Sequence, residues 1–156
     1  MAVQWLATAV VLALAVTTTA SAQTLDKKVL SLEAATKIAA AAHAAARARG
    51  VGVVIAVVDD GGPLILLHRL DDAQVASVNV SIGKARTAAI YRRPSREFEE
   101  QIRAGRVAAL ALADSTPLQG GIPIRLDGKV IGAIGVSGDT PLVDEAIAIA
   151  GASVFR

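Results

Sequence analysis

The chain has 156 residues, with 16 basic against 14 acidic side chains and no cysteine. That length suits one domain, and the charge balance lacks the basic footprint of a general nucleic-acid binder. Without thiols there are no disulfides, thiolate metal sites, cysteine nucleophiles, covalent c-type haem attachments or lipoprotein anchor.

The first 22 residues carry no charged side chain, and an apolar run from Trp5 to Val16 precedes Ala20-Ser21-Ala22. This small-x-small pattern predicts a signal peptide over 1–22, cleavage before Gln23, and an exported domain over 23–156, periplasmic or extracellular. The run is shorter than the ~20 residues of a spanning helix, so no membrane span is expected after cleavage. A retained N-terminal anchor is the alternative, because no Lys or Arg precedes the run. Beyond the leader the only aromatics are Tyr91, Phe98 and Phe155, so the core must be aliphatic.

Ser31 to Arg49 reads as a helix, with Ser31 as cap, Glu33 in the first turn and Gly50 as the stop. Leu32, Ala35, Ile38, Ala39, Ala42 and Ala46 share its apolar face, with His43 at the border. A border histidine is ordinarily a surface or half-buried residue; the sharper reading is a metal ligand or an anion partner. Val51 to Val58 reads as a buried strand, Asp59 to Pro63 as a turn, and Leu64 to Leu70 as the returning strand. Alternation puts Leu64, Leu66, His68 and Leu70 on one side, where an imidazole needs a hydrogen-bond partner, a metal or a ligand.

Ala73 to Ile90 is helical in character, with Val75, Val78, Ile82 and Ala85 or Ala89 near one face. Ser77, Ser81, Gly83 and Ala88 make part of its surface small, as close packing requires. Lys84 and Arg86 open a basic stretch that continues through Arg92, Arg93, Arg96, Arg103 and Arg106. Such a stretch is either a solvated face or a holder of carboxylates and phosphates. A short helix starts at Pro94-Ser95, with Ser95 as its cap and Glu97 in the first turn, and runs to about Gly105; Val107 to Ala113 fits helix or strand. Gly120 to Ile124 and Val130 to Gly138 form a hairpin through Asp127-Gly128, a tight-turn dipeptide. Gly132 and Gly135 notch the second strand where a backbone or a ligand comes close. The last helix starts at Thr140-Pro141, with Asp144 and Glu145 in its first turns, and buries Val143 and Ile147. The order α-β-β-α-α-β-β-α fits an α+β domain with a central antiparallel sheet flanked by helices.

Five motifs in this order carry a family resemblance: Val58-Asp59-x-Gly61-x-x-Leu64; Arg69-Leu70-Asp71-Asp72-Ala73; Lys84-Ala85-Arg86-Thr87-Ala88; Gly120-Gly121-Ile122-Pro123-Ile124; and Gly132 to Gly138. From about Leu30 onward the chain resembles the GlcG/HbpS-like family of haem-binding and haem-degrading-type domains. The resemblance implies a profilin-like or PAS-like sandwich, a symmetric homo-oligomer and, in exported members, haem handling or redox sensing.

Three functions follow as expectations. The first is a haem (tetrapyrrole)-binding protein, with His68 and His43 as candidate iron ligands and Arg69, Lys84 and Arg86 for the propionates. Its apolar walls would be Leu64, Leu66 and Val136. The second is an enzyme on a small anionic substrate, or one degrading haem. Backbone amides at Gly120-Gly121 and Ser137-Gly138 would hold the anion, with Asp59, Asp71 or His68 as base. No Ser-His-Asp signature or His-x-x-x-His spacing supports it. The third is a non-catalytic oligomeric accessory or sensor domain with an exported protein partner.

Overall fold

A computed structural model describes residues 25–155; the expected signal segment, residues 1–22, lies outside them. The first helix, α1 (Leu32–Arg49), is capped as its sequence requires. The Ser31 hydroxyl accepts the Ala34 amide at 3.2 Å, and Gly50 closes the helix at φ 67°. Two strands follow, β1 (Val54–Asp59) and β2 (Leu64–Arg69), then α2 (Ser77–Ile90) and α3 (Arg96–Arg103). A 3₁₀ turn over Val107–Ala111 leads to β3 (Gly121–Leu126), β4 (Lys129–Ser137) and α4 (Pro141–Ala152). No helix among the described residues is long and apolar enough to cross a membrane.

The four strands form one antiparallel sheet in the order β2-β1-β4-β3. The β3–β4 turn has Asp127 at φ 50° and Gly128 at φ 76°. Both residues are left-handed, the geometry that matches the twist of a tight hairpin. On one face, Ile38, Ala42 and Ala46 of α1 and Ile147 and Ala148 of α4 bury Val53, Ile55, Val57, Ile134 and Val136. On the other, α2 lays Ala85, Ala88 and Ala89 on Ala56, Val58 and Ala133. The fold is the expected α+β sandwich.

Gly135 explains the second face. A methyl group there would overlap the Ser81 carbonyl oxygen and lie 2.5 Å from the Ala85 amide nitrogen. The helix backbone rests directly on the strand, so its inward side must be small. That overturns the expected apolar face of α2. The helix begins at Ser77 rather than Ala73, and it buries Ser77, Ser81, Lys84, Ala85 and Ala88 while Val75 is 73% exposed. Leu32, also expected inside, is 60% exposed because it occupies the first position of α1, beyond the sheet's cover. Val51 precedes the strand instead of belonging to it, and Val107 to Ala111 is neither α-helix nor strand, leaving Val107 and Leu110 on the surface.

An extended strap precedes α1. Leu30 is buried against Gly132, while Lys27 pairs with Asp60 at 2.7 Å and Lys28 with Asp127 at 3.2 Å. The sheet's two edges differ. Along β3, Pro123 offers no donor, the Ser95 amide donates to the Gly121 carbonyl at 3.0 Å, and Arg125 donates to the Arg92 carbonyl at 2.5 Å. Among the described residues no backbone segment pairs with the outer side of β2.

Candidate functional site

The sequence places His43 at the border of the apolar stripe of α1 and His68 on one side of β2, and the structure turns that side toward α1, beside Ile55. The fold brings these two edges together. The imidazole centroids are 6.2 Å apart with planes at 78°, and both residues are half-buried. Neither ring takes part in a hydrogen bond or an ion pair among the described residues. The expectation that an imidazole here needs a partner therefore stands unanswered by the protein itself.

The pair opens into a cleft of about 980 Å³. Val51, Leu67 and Leu70 supply apolar wall, Arg47 and Arg69 line it with cations, and Asp71 and Asp72 follow on the loop after β2. The volume is at the upper end of small-ligand sites, but the lining is mostly polar, with apolar surface confined to these three side chains. The walls differ from expectation: Val136 is fully buried in the core, and Leu66 packs against that core without reaching the cleft. Leu67 and Leu70 reach the cleft, although Leu67 also packs toward α2 and Leu70 toward α1.

The other candidate residues lie elsewhere. Arg86 packs against Gly62 in the β1–β2 turn. That turn is at the far end of β2 from His68, about 20 Å away by strand rise. Lys84 sits on the α2 face, opposite the histidines. Its ammonium donates to Asp144 at 2.8 Å and to the Val136 carbonyl at 3.0 Å, with both side chains almost wholly buried. Burial pushes the Asp144 carboxyl up, against the downward pull of Lys84 and the amides of Asp139 and Gly138.

Gly120 and Gly121 pack onto this lysine. A methyl on Gly120 would lie 3.0 Å from the Lys84 nitrogen, and one on Gly121 would overlap the Lys84 carbonyl. The Gly121 amide already donates to the Ser95 hydroxyl at 2.8 Å. At Ser137-Gly138 the neighbouring Asp139 amide donates to Asp144 at 3.0 Å, and Thr140 caps α4. The glycine motifs thus serve close packing around a buried ion pair. Asp59 accepts the Gly61 amide at 2.8 Å within its turn, whereas Asp71 shares the cleft with His68.

Sequence reasoning missed three things here. Arg47 belongs to the cleft, one turn beyond His43, and only that spacing marks it. Asp144 and Glu145 are buried, although acidic residues in a first turn read as exposed partners of the helix dipole. Glu145 takes Gln119 at 2.7 Å and Arg96 at 3.4 Å on one carboxylate oxygen. Ser95, expected to cap α3, instead donates to the Leu118 carbonyl at 2.6 Å. Among the described residues no group of three or more His, Asp or Glu side chains is placed to hold a metal ion, so the imidazole pair is the candidate ligand set.

Comparison with known proteins places this architecture. The family model described as "Haem degrading protein HbpS-like" matches residues 30–153. Protein GlcG of Escherichia coli K12 is 43% identical over 111 residues, covering 71% of this chain and 83% of that one. The crystal structure of HbpS superposes with a TM-score of 0.81 at 34% identity, over 86% of this chain and 95% of that one. The crystal structure of a PduOC:heme complex superposes with a TM-score of 0.75 at 25% identity, over 83% and 96%. With a match across nearly all of the described domain, and the same sheet and helix layers, this chain belongs to the HbpS-like family.

Proposed function

We propose that this protein binds haem in the cleft between α1 and β2. The observation that carries the reading is the pair of unpartnered imidazoles, 6.2 Å apart, at the mouth of a cleft of about 980 Å³. The family's description and the haem complex of a structural neighbour support the choice of ligand.

The residues fit the group. His43 or His68 would ligate the iron, Val51, Leu67 and Leu70 would face the macrocycle, and Arg47 and Arg69 would meet the propionates. Bound haem would supply iron-centred ligand and electron chemistry. The chain's own part is to orient the ring and to limit water on its apolar face. Export, self-association and a role in haem handling or redox sensing belong to the same proposal.

A haem titration of the purified protein, followed by visible spectroscopy and size-exclusion in one buffer, tests it. The expected result is saturation at a fixed haem-to-subunit ratio, a shifted Soret band that His43→Ala or His68→Ala removes, and elution as an oligomer. A non-saturating, featureless response would refute haem binding. Unchanged affinity in both variants would refute histidine ligation alone.

A further inference from the structure

We infer that His43 and His68 together form a site for one bare divalent transition-metal ion, of the zinc, nickel and copper(II) class, which ties α1 to β2. Such an ion would use the imidazoles assigned above to haem iron, but nothing about it depends on a tetrapyrrole.

The pair has the reach for a shared ion. A metal-bound imidazole has its ring centre about 3.2 Å from the metal, ~2.1 Å of bond and ~1.1 Å of ring. Two such rings on one ion therefore lie roughly 4.5 Å apart at a right angle, ~5.2 Å at the tetrahedral angle and ~6.4 Å when opposite. The 6.2 Å between His43 and His68 falls inside that range. Both residues are half-buried at the cleft, so side-chain torsions can supply the ~1 Å of closure that a tetrahedral ion asks for.

The nitrogens are also open. Among the described residues, the buried side-chain nitrogens and oxygens without a hydrogen-bond partner belong to Arg93, Ser115 and Glu145. The imidazole nitrogens lack partners and are absent from that set, so they meet solvent. The lining does not repel a cation, because Arg47 and Arg69 are matched in number by Asp71 and Asp72. Imidazole is a donor for zinc, nickel and copper(II), whereas calcium and magnesium take oxygen ligands. No third His, Asp or Glu among the described residues is placed to join the pair, so water fills the remaining positions. Half the ligand count of a structural zinc site puts the dissociation constant on the order of ten micromolar.

Two consequences can be measured. The ion joins a helix to an edge strand through residues far apart in the chain, so it should stabilise the fold. Haem iron would take one of the same imidazoles, so the two ligands should exclude each other. The test titrates zinc and nickel chlorides into chelator-treated, untagged protein by calorimetry, with melting followed by circular dichroism. One ion should bind per chain, and at a hundredfold excess over Kd the melting temperature should rise by roughly 10 °C. His43→Ala and His68→Ala should each weaken the ion at least about tenfold. Copper(II) electron paramagnetic resonance of the wild type needs no variant to fold and should show splitting from two nitrogens. Zinc at tenfold its Kd should weaken haem roughly tenfold.

No bound ion, unchanged affinity in either variant or a copper spectrum with a single nitrogen would overturn the inference. Haem binding where no ion binds would leave the haem reading standing. An ion that binds where haem does not would support the inference and overturn the haem reading. Undiminished haem affinity at saturating zinc would overturn the sharing of the imidazoles.

Discussion

Lys84→Met separates a structural lysine from a ligand-binding one. The Lys84 ammonium and the Asp144 carboxylate are 2.8 Å apart, with side chains 5% and 3% exposed. At an effective dielectric constant of about 20, charges at that distance attract by roughly 6 kcal/mol, against a desolvation cost of similar size. Methionine fills the lysine's volume but abandons the carboxylate, and breaking a buried pair this way costs about 3–5 kcal/mol. For a domain of this size each kcal/mol lowers the melting temperature by roughly 3–5 °C.

The deficit also depends on pH. Burial raises the Asp144 carboxyl, and removing Lys84 removes a downward pull, so the variant's carboxyl rises further. A group raised in the folded state contributes stability below its ordinary pKa and loses it as pH climbs through the folded value. The gap between Lys84→Met and wild type should therefore be narrow near pH 4, about the ordinary aspartate value, and widen toward pH 7. Adding Asp144→Asn keeps an oxygen for the Asp139 amide and should restore most of the loss at pH 7. Urea unfolding followed by circular dichroism across this range measures all of it. A variant within about 1 kcal/mol of wild type at pH 7 would refute the reasoning, as would a loss that does not vary with pH. Because Lys84 lies on the face of the sheet away from the histidines, folded Lys84→Met should bind haem as the wild type does.

Two further outcomes follow from the packing. Ser95→Ala removes the acceptor of the buried Gly121 amide and the donor to the partly buried Leu118 carbonyl, and should cost about 1–3 kcal/mol by urea unfolding. Gly135→Ala drives a methyl into the Ser81 carbonyl and should cost about 3 kcal/mol or more, with reduced soluble yield; a loss under about 1 kcal/mol would mean that α2 can lift off the strand.

Several element ends were legible because each is a local problem, whereas the starts of β1 and α2 and the cap of α3 were not. Ser31, Gly50, Asp127-Gly128 and Thr140-Pro141 solve theirs within a few residues, and all act as read. The inward face of α2 was not legible from hydrophobicity, because the surface it meets is the backbone of Gly135, which rewards smallness over oiliness. Lys84 reads as a surface cation until Asp144, 60 residues later, is seen to neutralise it. In the cleft, His43 and His68 stood out as the chain's only imidazoles, but their meeting depends on α1 crossing the end of β2. Arg47 passed unnoticed because a basic residue in a last turn is already accounted for by the helix dipole.

The unequal edges of the sheet limit how copies of this chain can add to one another. The β3 side is closed by Pro123 and the Arg92–Ser95 segment, while the outer side of β2 is free among the described residues. A molecule with a single docking edge has no second one to pass the contact on. Strand-to-strand joining through the β2 edge would stop at two copies about a two-fold axis, so it is topology rather than charge that limits growth by edge pairing.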